Sequence, residues 1–169
     1  MKKVFSILMI LCATSFAQAQ TKIAHINSTQ LIESMPEADT ISMKLDKLRQ
    51  TWENLLVEKQ KETQTKYQAL MEIIDDESVS TSVKEVKTQE IENLQKQYQE
   101  MQQTGSDALQ KEQELLLTPL YAKVKETIAT VAKANGYSYV MDSSEGSGII
   151  YSDTKFDLMP LVMAKLGIK

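Results

Sequence analysis

The residues from Glu37 to Asn135 constrain this chain more than any others. They run for roughly a hundred positions with a single glycine, Gly105, and a single proline, Pro119, and they are rich in charge and glutamine. Apolar residues return at helical spacing on both sides of one polar interruption, so the stretch reads as two long antiparallel helices. A two-helix hairpin covers one seam of each helix. The other faces are left to solvent, to further copies of the chain or to a bound partner.

Ahead of that stretch, Lys2 and Lys3, an apolar run of 13 residues from Val4 to Phe16, and Ala17-Gln18-Ala19 have the three parts of an export signal, with cleavage expected after Ala19. A membrane anchor would need about 20 apolar residues. Cys12, the sole cysteine, falls inside the signal, and bulky Leu11 before it argues against a lipoprotein site. The exported chain is then free of disulfides and thiolate chemistry. Loss of Lys2 and Lys3 leaves 17 basic and 23 acidic side chains, a net charge of −6. Nucleic acid, which is recognised through a basic footprint, is not an expected partner.

The expected organisation is a cleaved signal at 1–19, a β-rich oligomerisation body from 20–36 and 136–169, and a helical-hairpin arm at 37–135 with its tip near 75–82. The body has 17 residues before the arm and 34 after it. So small a body gains burial by oligomerising. The fold class is α+β and mostly helical, with the long hairpin projecting from a small sheet.

Lys22-Ile23-Ala24-His25-Ile26-Asn27 reads as a buried strand and 28–34 as a helical turn. Ser34 and Glu37 have the spacing of a capping box, with Pro36 in the first helical turn. Ile41, Leu45, Leu48, Trp52 and Leu55 then form a heptad seam. From Glu58 to Lys66 no large apolar residue appears, and the middle of the arm is expected to pack loosely. Asp75 to Ser82 marks the turn, and Ser82 with Glu85 suggests a second capping box. The return seam is Ile91, Leu94, Tyr98, Met101, Gly105 and Ala108. Gly105 indicates close approach of the opposite helix, with a hinge as the other reading; Pro119 predicts a kink near Thr118. Lys133 to Gly136 closes the helix. Tyr137 to Met141 and Gly148 to Tyr151 are expected to form a β-hairpin, and 156–166 a terminal helix with Asp157 as N-cap.

No catalytic constellation is present, so no enzyme activity, cofactor or metal is expected. His25, the sole histidine, has no cysteine partner and no H-E-x-x-H context, and reads as structural. Gly146-Ser147-Gly148 lacks the lysine of a phosphate loop and reads as a turn. Asp75-Asp76-Glu77 lacks the spaced ligands of a calcium loop and reads as a solvated helix end. Near the tip, Leu70, Met71, Ile73, Ile74 and Val79 are candidate client-binding residues, although their packing on one another would also close the hairpin. Ile23, Ile26, Tyr139, Val140, Ile149 and Ile150 are candidate oligomerisation residues. Gly105 and Pro119 are candidate hinges.

The order of elements resembles the Skp/OmpH family of periplasmic chaperones across essentially the whole exported chain. The most specific segments are the P-x-x-x-K-V-x-x-x-I-x-x-V-A run from Pro119 to Ala132, the GYSYVMD strand, and the IIYSD segment leading to Asp157. The resemblance implies a homotrimer whose arms enclose a cavity, and an ATP-independent holdase for unfolded outer-membrane proteins, with the outer-membrane assembly machinery as a further partner. It implies a periplasmic protein without stable membrane insertion. Members of that family are often strongly basic, whereas this chain is acidic, so a lipopolysaccharide site is not carried over. The competing reading is a structural coiled-coil component of the envelope without a client. A spacer of that kind would keep apolar heptads through 58–66, where this chain is polar.

Overall fold

A computed structural model of the chain describes residues 21–168. The export signal, its cleavage site and Cys12 lie outside the described residues. The element order is β1 (Ile23–Ile26), α1 (Ser28–Glu33), α2 (Pro36–Met71), α3 (Thr81–Ala134), β2 (Tyr139–Asp142), a 3-10 turn (Thr154–Phe156) and α4 (Met159–Leu166). The chain divides into two compact units. Of the described residues, one comprises 21–32 and 125–168, the other Glu33–Val124.

In the first unit β1 and β2 pair in parallel, with Ile23 opposite Tyr139 and Ile26 opposite Asp142. A parallel pair needs a long crossover, and here the two long helices lie between the strands in sequence. The ladder is extended at both ends, where Ser138 N–H donates to the Lys22 carbonyl (2.8 Å) and Ser143 N–H to the Ile26 carbonyl (2.9 Å). The other edge of β1 is taken by Asp157, which bridges His25, and Leu158 N–H donates to the His25 carbonyl at 2.9 Å. Ala24, Ile26, Leu31, Val131, Ala132, Leu158 and Val162 are the buried side chains of this unit.

That arrangement corrects the expected β-hairpin. Residues 148–151 have no strand structure. Gly146 and Gly148 sit at φ of 82° and 83°, where an L side chain is strained, and bend the segment. Asp153 then accepts from Lys155 N–H (3.0 Å) and starts the 3-10 turn that carries Asp157 to the open edge of β1. Local β propensity in Ile149-Ile150-Tyr151 was the basis of the expectation, but pairing depends on which backbone reaches the edge first. The terminal helix likewise starts later than expected, at Met159, although the Asp157 carboxylate does accept from the Met159 N–H (2.8 Å). Gly167 closes it in the left-handed region, at φ 76°.

The second unit is an antiparallel helical hairpin. Its cross-contacts are nested in sequence: Glu37 with Lys123, Trp52 with Gly105, Lys66 with Glu90, and Lys84 with the Ile74 carbonyl. Neither expected capping box sets a helix start. α2 has Met35 at its N-cap without a side-chain cap, Pro36 supplies the first turn, and Glu37 pairs with Lys123. α3 starts at Thr81, where the Ser80 carbonyl accepts from Val83 (3.0 Å) and Lys84 (3.3 Å), so Ser82 is already helical. Pro119 lies within α3, which continues unbroken to Ala134. Proline removes one N–H donor, but the turns on either side keep theirs.

Candidate functional site

The covered seam of the hairpin shows what its helices leave available. On α3 the covered positions include Ile91, Leu94, Tyr98, Met101, Gly105 and Ala108, then Leu120 and Val124. On α2 the seam passes through Ile41, Leu45, Leu48 and Trp52, then steps to Leu56, Lys59, Thr63, Lys66 and Leu70. A four-residue step from Trp52 to Leu56 is the drift of a 3.6-residue helix against a strict heptad, and it leaves Leu55 at the margin. Sequence reasoning let the seam weaken after Leu55 and resume at Tyr67 and Leu70, because no large apolar residue occurs from Glu58 to Lys66. The polar positions there are tied down nonetheless. Lys59 pairs with Glu62 (2.7 Å), Thr63 Oγ1 donates to the Lys59 carbonyl (2.9 Å), and Lys66 reaches across the hairpin to Glu90 (2.6 Å). The Glu90 carboxylate, by hydrogen bond and then by charge, keeps the Lys66 ammonium protonated to higher pH than usual.

Gly105 faces Trp52 across the hairpin. A Cβ there would stand 3.0 Å from Trp52 Cδ2, so the glycine admits the indole. The indole Nε1 is buried and has no hydrogen-bond partner. Close approach, the first of the two readings for Gly105, is what the packing requires.

At the tip, Asp76 accepts from both the Ser78 hydroxyl (2.6 Å) and the Ser78 N–H (2.8 Å), and the first of these leads in holding its carboxyl below the usual range. Lys84 donates to the carbonyls of Ile74 (2.8 Å) and Asp76 (2.9 Å), closing the turn from the start of α3. Sequence reasoning missed this cap, which is visible only once the turn is folded. Of the five tip residues singled out, Leu70 is buried at 5 % exposure, Ile73 and Val79 are half-buried, and Met71 (43 %) and Ile74 (38 %) are open. Leu70 therefore belongs to the hairpin's own packing.

Between the helices, toward the middle of the hairpin, lies a groove of about 700 Å³ that includes Gln60, Gln64, Tyr67, Gln95, Tyr98 and Gln99. No motif marks it in the sequence, because its residues come from two segments thirty positions apart.

In the first unit, the six candidate oligomerisation residues divide. Ile26 is covered by its own chain at 2 % exposure and acts as core. Val140 and Ile149 are half-buried, and Ile23, Tyr139 and Ile150 are open, Ile150 fully so. Ile23 and Ile149 line a hollow of about 820 Å³ with Met141, Tyr151 and Phe156. His25 is held from both sides: Nε2–H donates to the Asp153 carbonyl (3.0 Å), and Nδ1 faces the Ser143 hydroxyl (3.4 Å). It anchors the 143–153 loop to β1. Asp142 ties β2 to α1 through the Ser28 hydroxyl (2.5 Å) and N–H (3.2 Å), and also accepts from Ser144 N–H. Burial pushes its carboxyl up, but these hydrogen bonds outweigh that and hold it below the ordinary value. Among the described residues, no helix is long and apolar enough to cross a membrane.

Residues 22–166 match a family model described as outer membrane protein (OmpH-like). Among solved structures, a candidate outer membrane chaperone (OmpH-like) from Caulobacter crescentus CB15 superposes with a TM-score of 0.74. It is 15 % identical, and the match covers 88 % of this chain and 85 % of that one. At that identity the match speaks for the fold alone. No curated protein matches the chain.

Proposed function

We infer the function of this chain from the family to which it belongs, the OmpH-like outer membrane proteins. Membership carries the general role of an outer membrane chaperone in the periplasm. The more specific reading is an ATP-independent holdase. In it, residues 20–36 and 136–169 form the body of a homotrimer and the hairpin 37–135 serves as one of three arms around a cavity. Unfolded outer-membrane proteins are held there until the assembly machinery or the membrane competes for them. Export by cleavage after Ala19 belongs to the same reading, and no catalytic step does.

One observation carries it: the hairpin satisfies its own seam yet leaves large apolar side chains uncovered, among them Met43, Val57, Val86 and Leu115, each at least 63 % exposed. They are dispersed along both helices instead of forming one patch. Scattered apolar contacts on linked arms hold a mobile client by avidity, with no deep pocket. A client-free coiled-coil spacer fits less well, because Lys59, Thr63 and Lys66 stand where its seam would need apolar residues.

The test is to dilute a urea-unfolded outer-membrane β-barrel protein into buffer with and without this protein and record light scattering. Suppressed scattering without added nucleotide is expected. Unchanged scattering at a molar excess of the protein contradicts the holdase reading.

A further inference from the structure

The groove in the middle of the hairpin has a composition that sets it apart. A quarter of the chain is charged (25 %), yet no charged side chain lines this groove. Its polar groups are five glutamine amides, from Gln60, Gln64, Gln95, Gln99 and Gln102, together with Thr63, Tyr67 and Tyr98. None of the five amides is hydrogen-bonded to another side chain among the described residues, and the same holds for Gln97 and Gln110 outside the groove, so it is their convergence on one uncharged surface that distinguishes them. Each amide offers two N–H donors and a carbonyl acceptor. This is the hydrogen-bonding repertoire of a peptide group. Tyr67, 51 % exposed, adds an aromatic surface.

We infer that this groove is a subsite for an extended, uncharged stretch of polypeptide, read through its backbone amides by the glutamines and through its apolar or aromatic side chains by Tyr67 and Tyr98. The inference rests on the chaperone reading and says where and how a client segment is gripped. The dimensions agree. Gln60 to Tyr67 and Ile91 to Gln102 span roughly 10–16 Å along their helices. That length accommodates about three to five residues of strand at ~3.3 Å each. Strands of transmembrane barrels alternate apolar and polar side chains and carry little charge on their lipid face. An uncharged groove also suits a chain of net charge −6, since it neither attracts nor repels the segment by charge. Glutamine side chains have several rotamers, which lets one groove accept many sequences of the same backbone chemistry.

The test uses the whole protein and a blocked, uncharged peptide of about ten residues that alternates threonine with valine and tyrosine, the length of one membrane strand. Addition of the peptide is expected to shift the side-chain amide NMR signals of Gln64, Gln95 and Gln99 and to leave those of Gln97 and Gln110 in place. The double variant Gln64→Ala/Gln99→Ala, in which alanine preserves the helix, is expected to bind about tenfold more weakly. Gln97→Ala/Gln110→Ala is expected to bind as the parent does. Binding is expected to persist at about 0.5 M salt, where charge contacts are screened within a few ångströms. Unmoved glutamine signals, undiminished binding by Gln64→Ala/Gln99→Ala, or displacement of the peptide by a neutral oligosaccharide would each overturn it. If the parent protein shows the glutamine shifts but does not keep an unfolded barrel soluble, the groove stands and the holdase reading falls. If it keeps the barrel soluble with no glutamine shift, the reverse holds.

Discussion

Gly105 and Trp52 decide how closely the two helices can run. In an exposed helix, glycine to alanine gains about 1 kcal/mol of helix propensity. Here the added methyl meets the indole at 3.0 Å, so Gly105→Ala is expected to gain nothing in urea unfolding. In a Trp52→Ala background the same change is expected to recover roughly that 1 kcal/mol, a coupling that a double-mutant cycle reads directly. A free hinge at Gly105 would show the gain in both backgrounds. Asp142 works at the same scale. Its folded-state pKa lies below the ordinary value, so its contribution is present above the unfolded carboxylate pKa and disappears as pH falls through the folded one. Thermal unfolding followed from neutral pH down to about pH 3 should therefore show a shallower acid decline in Asp142→Asn than in the parent. Glu37, held low by Lys123, and Asp76, held low by Ser78, have the same sign, so some acid dependence remains in the variant.

Among the elements, the tip is where one side chain closes a turn. Lys84 supplies two donors to the turn, one to the Ile74 carbonyl and one to the Asp76 carbonyl, which also accepts from Val79 N–H. Lys84→Met keeps the stem and removes the donors. Amide exchange in 73–79 is expected to accelerate by roughly tenfold, with exchange at Ile91 and Leu94 unchanged. Equal rates in variant and parent would mean that the turn closes without the lysine. The two helices, their turn and the Gly136 and Gly167 stops were legible because periodicity and glycine placement are local signals. Three features were not. The seam through Lys59, Thr63 and Lys66 carries no apolar mark, since the lysine stems cover the interface while their heads find carboxylates. The helix caps were misread, although α2 does begin with Pro36 in its first turn, because a capping-box spacing in sequence does not compel the geometry, and Pro36 with Met35 suffices. The partner of β1 at its second edge was misassigned to 148–151, because strand pairing is settled by distant segments and Asp157 arrives there through its own 3-10 turn. The groove lay beyond sequence reasoning for a related reason. Glutamines in two helices become one surface only once the hairpin register is fixed.

For the molecule as a whole, the uncovered apolar side chains of the first unit correspond to the proposed contact between copies. Ile150 is fully exposed and Tyr151 is 83 % exposed. Ile150→Glu places charge at that contact, and it is expected to dissociate the assembly at micromolar concentration while leaving far-UV helicity intact. An undisturbed assembly would move the contact elsewhere. The central claim is that several copies together hold one client, and native mass spectrometry reads it most directly. The protein alone is expected to give the mass of three copies, and after dilution of a urea-unfolded outer-membrane β-barrel protein into it, the mass of three copies plus one client. A monomer at all concentrations, with no complex formed, would contradict the account.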